Sequence, residues 1–276
     1  MKLGISYNLF DGEELLESSI KSVRNEAFHI NVVYQTTSYY GNKTENGVGK
    51  LLLKLKEKGL IDEIYYYDKD FSKTQKHYYE REKRDIGLKI AKEFGCTHFL
   101  SMDVDEFYEE TQLRFAKQFI EQNKIKTSAV SILEYLKHPQ YRFVNSYTFT
   151  PQDNYNFYVP FIMKINKILP QKHSGKFYPC VVDPSRSLNN KQKFYLFSKQ
   201  DIVMHHMSTV RKNLHKKYAN SNLNLGDEKI LKEIQEIKED VLNWDFENNR
   251  LGNSNYSIFR KKLIEKVDNK FNINID

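Results

Sequence analysis

Apolar runs alternate with amphipathic stretches over the first 108 residues, and this alternation leaves few folds open. The runs are residues 2–7, His29 to Gln35, Ile61 to Tyr67 and Phe99 to Met102. Between them, Glu13 to Arg24 carries Leu15, Leu16, Ile20 and Val23 at helical spacing, and Gly49 to Lys58 and Tyr78 to Phe94 also read as helices. Strand and helix in turn, closed by a fourth strand, is the pattern of an open α/β sheet built from right-handed crossovers. Ligands bind such sheets outside the carboxyl ends of the strands. The segments that follow those ends are Tyr7-Asn8 to Asp11, Gln35 to Ser38, Asp68, and Asp103 to Asp105, and all are expected to face one cleft.

The last of these ends is the most distinctive. Met102-Asp103-Val104-Asp105-Glu106-Phe107 places acids between apolar residues. Strand alternation would put Asp103 and Asp105 on one face, where a hard cation such as Mn²⁺ or Mg²⁺ could bridge to phosphate oxygens. The competing reading is a solvated turn capping a helix over Glu106 to Gln122. Position at a strand's carboxyl end favours the ligand site.

A chain of 276 residues can bury a large core. Its +7 charge predicts an anionic partner, whether nucleotide diphosphate, nucleic acid or acidic lipid. Neither G-x-G-x-x-G nor G-x-x-x-x-G-K-[ST] occurs, which disfavours dinucleotide folds and P-loop enzymes. Phosphate charge would instead be met by a metal and by basic side chains, and Arg81, Lys83 and Arg84 open the helix before the aspartate strand. Cys96 and Cys180 are far apart and are expected as free thiols in a reducing cytosol. No signal peptide or membrane-spanning stretch is apparent, and a cytoplasmic location is expected.

Beyond Tyr108 the regular alternation ends. Val130 to Tyr135 and Val159 to Ile165 read as strands separated by a loop over Lys137 to Tyr158. Pro, Gly and aromatics around Lys172 to Arg186 suit a substrate-binding half. The run Ile202-Val203-Met204 ends in His205-His206, with Arg211 just beyond, a pairing that suits a metal and an anion. From Lys212 the chain is basic, and Leu225 to Trp244 forms an amphipathic helix with Ile230, Ile234, Ile237 and Val241 on one side. The expected organisation is one domain over 1–211, divided into halves 1–108 and 109–211, with a helical C-terminal extension over 212–276.

The order of parts resembles a GT-A glycosyltransferase, a fold with a Rossmann-like nucleotide-sugar-binding sheet, and its family 2 in particular. Tyr7 to Gly12 with Ser19 to Arg24 resembles that family's opening strand, loop and helix. Arg84-Asp85-Ile86-Gly87-Leu88-Lys89-Ile90-Ala91 resembles the helix before its metal motif, and Asp103-Val104-Asp105 matches the D-x-D motif itself. The resemblance implies a nucleotide-sugar donor, most often UDP-linked, with Asp11 and the Gln35–Ser38 loop near base and ribose. It implies Asp103 near ribose and metal, Asp105 on Mn²⁺ or Mg²⁺, and His206 with Arg211 on metal and diphosphate. An inverting enzyme also needs a carboxylate base, for which Asp183 is the first candidate and Glu134 the second; the competing reading of Asp183 is a pairing with Arg186 in a turn. Surface-glycan synthesis on a glycan or lipid-linked acceptor at the inner membrane is the setting implied, with the basic C-terminal region against the lipid. Two rival classes are a metal-dependent phosphohydrolase and a basic nucleic-acid-binding module.

Overall fold

The computed structural model describes residues 1–44, 47–69, 71, 76–144, 158–165, 178–180, 182, 183, 185, 186, 193–220, 228–246 and 264–275. Much of the expected substrate-binding half, and the basic run at 260–262, lie outside the described residues. So do the side chains of Ile230, Ile234 and Ile237.

The architecture is mixed α/β. The first half runs β1 (Leu3–Leu9), α1 (Glu13–Val23), β2 (His29–Tyr34), α2 (Val48–Glu57), β3 (Glu63–Tyr66), α3 (Lys76–Glu93) and β4 (His98–Asp103). After it come β5 (Glu106–Phe107), α4 (Glu110–Gln122), β6 (Thr127–Leu136), β7 (His138–Phe143), β8 (Tyr158–Lys164), β9 (Phe194–Leu196) and β10 (Val203–His206). The C-terminal part holds α5 (Leu214–Ala219), α6 (Glu228–Asn243) and β11 (Ile264–Lys266).

The strands form one sheet in the order β11-β7-β6-β8-β4-β1-β2-β3, with β10 bridging β5 and β6. The segment β4-β1-β2-β3 is parallel, as the alternating sequence requires. After β2 and β3 extend the sheet to one side of β1, the chain returns through α3 to place β4 on the other side. That reversal between β1 and β4 is the switch point at which such sheets form a crevice. Asn8 and Asp103 are register partners there.

Alternation along β1 explains how α3 comes to the crevice. Leu3, Ile5, Tyr7 and Leu9 join a core with Leu16 and Ile20 of α1, Leu52 and Leu55 of α2, and Leu113 and Ile120 of α4. Gly4, Ser6 and Asn8 occupy the opposite face, small or polar, against α3. A Cβ on Gly87 would fall 1.8 Å from Ser6 Oγ, so only glycine allows this approach. Ser6 Oγ donates to Asn31 Oδ1 at 2.7 Å, and Asn31 Nδ2 donates to Gly87 O at 3.1 Å. These bonds satisfy the buried polar groups and hold the first turns of α3 beside the carboxyl ends of β1 and β4.

Three local expectations change. The strand carrying the acids stops at Asp103; Val104 and Asp105 turn, and Glu106-Phe107 is a two-residue strand rather than the start of a helix, which begins at Glu110. The segment after Lys137 is not all loop, because His138–Phe143 pairs with β6 and β11. The C-terminal part is more than helical: β11 adds to the sheet edge, and Val241, Trp244 and Ile264 share a small core with Leu136, Phe143 and Leu214. Cys96 and Cys180 are free thiols. No helix of the described residues is long and apolar enough to cross a membrane.

Candidate active site

A cavity of about 340 Å³ opens at the switch point, lined by residues that include Asn8, Asp11, Tyr39, Lys83, Asp103, Asp105, His206, Arg211 and Lys217. Its floor is the end of β4. Asp103, the last residue of that strand, faces α3. There Arg84 Nη2 lies 3.1 Å from both carboxylate oxygens, while Arg84 Nη1 bonds Ser101 Oγ at 2.8 Å. From the other side Arg186 Nη2 donates to Asp103 Oδ2 at 2.6 Å. Burial alone would raise this carboxyl, but the two guanidiniums hold it down at about 2.

Asp105 sits beyond the strand end, so the two acids do not share a face by alternation; the turn at Val104-Asp105 brings both to the cavity instead. The Asp105 carboxylate is divided between two sets of neighbours. Oδ2 accepts from Arg211 Nη2 at 2.5 Å and from Lys217 Nζ at 3.2 Å. Oδ1 faces His206 Nε2 at 3.8 Å, beyond hydrogen-bond distance. Burial opposes ionisation, yet Lys217, Arg211 and His206 together hold this carboxyl far below the usual range. The His206 ring is fixed at its other edge, where Nδ1 lies 2.8 Å from Glu134 Oε1. Burial would lower the imidazole, but Glu134, Asp105 and Glu106 lift it to about 9.

Arg211 is seated by a backbone feature. Gly12 has φ +87°, and a Cβ there would fall 1.3 Å from Arg211 Nη1. The missing side chain leaves the groove in which the guanidinium lies, and its Nε and Nη1 have no partner among the described residues. Asn8 likewise presents both amide atoms unpaired although buried. Lys83, 4% exposed, forms no hydrogen bond or ion pair among the described residues; its Nζ lies 5.6 Å from the centre of the Tyr39 ring. Burial lowers its ammonium to about 8, partly offset by Glu80 and Asp103. Asn8 and Arg211 therefore carry buried polar atoms that no described protein group receives, with the buried Lys83 ammonium near them, and such groups are costly unless something pairs them.

The expected site residues divide accordingly. Asn8, Asp11, Asp103, Asp105, His206 and Arg211 line the cavity together, and Arg84 supports it from behind. Tyr7 does not: its ring is in the core, with its hydroxyl 3.1 Å from Ser19 Oγ, which in turn bonds Glu106 O. Gln35 and Ser38 build the loop after β2, Gln35 Nε2 donating to Thr37 O and Ser38 Oγ accepting from the amides of Tyr40 and Asn42. It is Tyr39 of that loop that reaches the cavity. Asp68 is exposed beyond β3, and neither it nor Arg81 lines the cavity. Asp183 Oδ1 accepts from Ser185 N and Oδ2 from Arg186 Nε, at 2.8 and 2.9 Å, so its oxygens are engaged in a turn. Glu134 is engaged with His206.

Two cations beside the aspartates carry contacts that a sequence reading misses. Arg186, buried, joins Asp103, Glu106 and Asp183; its pairing with Asp183 is legible in the sequence, and its reach to Asp103 and Glu106 is not. Lys217, which reads as part of a surface-basic run, lies on α5 and reaches Asp105, and its neighbour Lys216 reaches Asp11 at 3.5 Å. Both lysines are turned inward to the site.

Among the described residues, no group of three His, Cys, Asp or Glu side chains forms a ready-made metal cage. Asp105 Oδ1 and His206 Nε2 nonetheless face each other without a bond between them. A divalent ion held by one carboxylate, one imidazole and a substrate's phosphate oxygens needs no third protein ligand. The donor set fits that arrangement.

No family model matches the sequence, and no curated protein matches it. Among solved structures, S. aureus TarS aligns with 12% identity and a TM-score of 0.43, covering 90% of this chain and 45% of that one. The chain thus spans less than half the length of that protein. Residues 1–349 of TarS in complex with UDP-GlcNAc align with 12% identity and a TM-score of 0.40, over 86% of this chain and 72% of that one. Mannose-1-phosphate geranyltransferase from Thermus thermophilus aligns with 10% identity and a TM-score of 0.32, over 54% and 47% of the two chains.

Proposed function

We propose that the protein is a GT-A glycosyltransferase that binds a nucleotide-sugar donor, of the UDP class, in the cavity between β1 and β4. The observation that carries this reading is a set of buried donors facing the strand end that bears Asp103 and Asp105. Arg211 Nη1 and Asn8 Nδ2 have no partner among the described residues, and the buried Lys83 ammonium stands with them. A diphosphate would satisfy the cations and a ribose or base the amide, which is the chemistry their isolation calls for.

In this reading Asp11 and Asn8 contact the nucleoside, and Tyr39 offers a ring against it. Arg211 and Lys217 hold the phosphates, drawn from Asp105 Oδ2 to the more exposed anion. Lys83 adds a charge that is already desolvated, so it stabilises the departing diphosphate without reorganisation. Arg84 and Arg186 keep Asp103 ionised and fixed. Asp105 and His206 are the residues that would hold Mn²⁺ or Mg²⁺, which would supply Lewis-acid stabilisation of the leaving group. The acceptor is a hydroxyl of a glycan or glycolipid, consistent with an open cavity mouth, and capsule or lipooligosaccharide synthesis at the cytoplasmic face of the inner membrane is the setting proposed.

Thermal stabilisation by UDP, GDP and CDP, with and without Mn²⁺, tests the reading. One nucleotide is expected to raise the melting temperature in a metal-dependent manner, and Asp105→Ala to abolish the shift. No shift with any nucleotide would overturn it. A donor hydrolysed at the same rate with and without every acceptor offered would point to the phosphohydrolase alternative.

A further inference from the structure

Glu134 lies one shell outside the cavity, and the sheet fixes its relation to the site. β10 is parallel to β6 with Glu134 and His206 as register partners, and antiparallel to β5 with His206 opposite Glu106. Held on both sides, His206 cannot shift along the sheet. Its Nδ1 edge is taken by Glu134 Oε1 at 2.8 Å, and its Nε2 edge faces Asp105 Oδ1 at 3.8 Å. The second Asp105 oxygen is occupied by Arg211 and Lys217, which leaves Oδ1 turned to the imidazole.

A carboxylate on one imidazole nitrogen does two things. It fixes the ring plane, and it holds the proton on the bonded nitrogen, so that it is the far nitrogen that gives up its proton and offers a lone pair when a cation binds. We infer that Glu134 is a positioning residue that presents His206 Nε2 to a divalent cation shared with Asp105, and that it is not the base that activates the acceptor. This role presupposes the donor-binding reading of the cavity. It accounts for what that reading leaves unexplained: a glutamate that does not line the cavity, yet commits its oxygen to the one histidine that does.

The test is Mn²⁺ binding followed by the electron paramagnetic resonance signal of the free ion, in the presence of saturating UDP, on the full chain. Glu134→Gln keeps shape and a hydrogen-bonding atom but loses the charge, and is expected to weaken Mn²⁺ about 10–100-fold. UDP affinity measured without metal is expected to stay unchanged, since Glu134 touches no part of the cavity. His206→Ala is expected to weaken Mn²⁺ at least as much, and the double variant no more than His206→Ala alone. Histidine ¹⁵N spectra give a readout independent of fold stability: adding Mn²⁺ should broaden the His206 Nε2 resonance before Nδ1. Wild-type Mn²⁺ affinity in Glu134→Gln, or additive losses in the double variant, would overturn the role. If the wild type binds UDP but Mn²⁺ never affects either, the positioning role alone fails. If UDP itself does not bind, the donor reading fails with it.

Discussion

A buried ammonium with no carboxylate beside it destabilises the protein that carries it. Lys83 holds its charge against burial, and among the described residues its compensation comes from Tyr39 and the more distant Glu80 and Asp103. Lys83→Met, which keeps the stem and removes the charge, is therefore expected to stabilise the unliganded protein by roughly 1–3 kcal/mol. The same change should weaken nucleotide binding at least tenfold, and a melting curve with and without UDP reads both effects. Opposite signs for stability and binding mark a residue kept for its ligand; a loss of both would make Lys83 a structural group. Gly12 should behave differently. Gly12→Ala places a methyl on Arg211 Nη1 at a backbone angle only glycine tolerates, so it should lower stability by about 1 kcal/mol or more and binding together. Lys83 was visible in the sequence as one of three basic residues opening a helix. Its isolation was not, because that depends on where Gly87 lets α3 settle against Ser6.

At the scale of elements, the four parallel strands and their helices were legible, since periods of 2 and 3.6 are written directly in the residues. The misreadings have local causes. Asp103-Val104-Asp105-Glu106 alternates like a strand but turns after Asp103, because Glu106 Oε2 takes the Asp103 amide and Arg186 locks Glu106 in place. β7 escaped notice since His138-Pro139-Gln140 looks like a loop, and Pro139 lies where the register with β6 shifts. The C-terminal strand is tied back by side chains that no short-range pattern announces: Lys270 Nζ meets Glu109 Oε1 at 2.7 Å, and Glu109 also lies 3.5 Å from His205 Nε2. These partners, His205 first, hold Glu109 at about 2, below its ordinary value near 4.5. A depressed carboxyl contributes stability above its unfolded pKa and loses it as pH falls through the folded one. Between about pH 4.5 and 2, residues 264–275 should therefore lose protection in hydrogen exchange, and Glu109→Gln should show that loss already at neutral pH. Trp244, the one tryptophan, sits in the same small core as Ile264 and should report the release by its emission.

Across the whole molecule, an excess of seven positive charges says little by itself, and the structure shows where part of it goes. Arg84, Arg186, Arg211 and Lys217 converge on two aspartates from three separate parts of the chain. The order of strands made the aspartates readable, and Arg84 and Arg211 as cations near them; Lys217 was not, because it reads as one of a run of basic residues, nor was the reach of Arg186 beyond Asp183 to Asp103. Removing one should expose the network. Lys217→Ala is expected to leave the melting temperature within about 2 °C and to weaken UDP binding several-fold, since Arg211 still pairs Asp105.

The spacing of this network along the chain also sets an order of events at the ribosome. Asp105 is separated by 106 residues from Arg211 and by 112 from Lys217. At roughly 5–20 residues per second, Asp105 leaves the exit tunnel some 5–20 s before the two cations that pair it. During that interval the parallel strands β1 to β4 can pair around their own apolar core, while the end of β4 stays hydrated and open. The nascent N-terminal half is thus a scaffold without a binding site, and the site closes only when α5 arrives from the far end of the sequence.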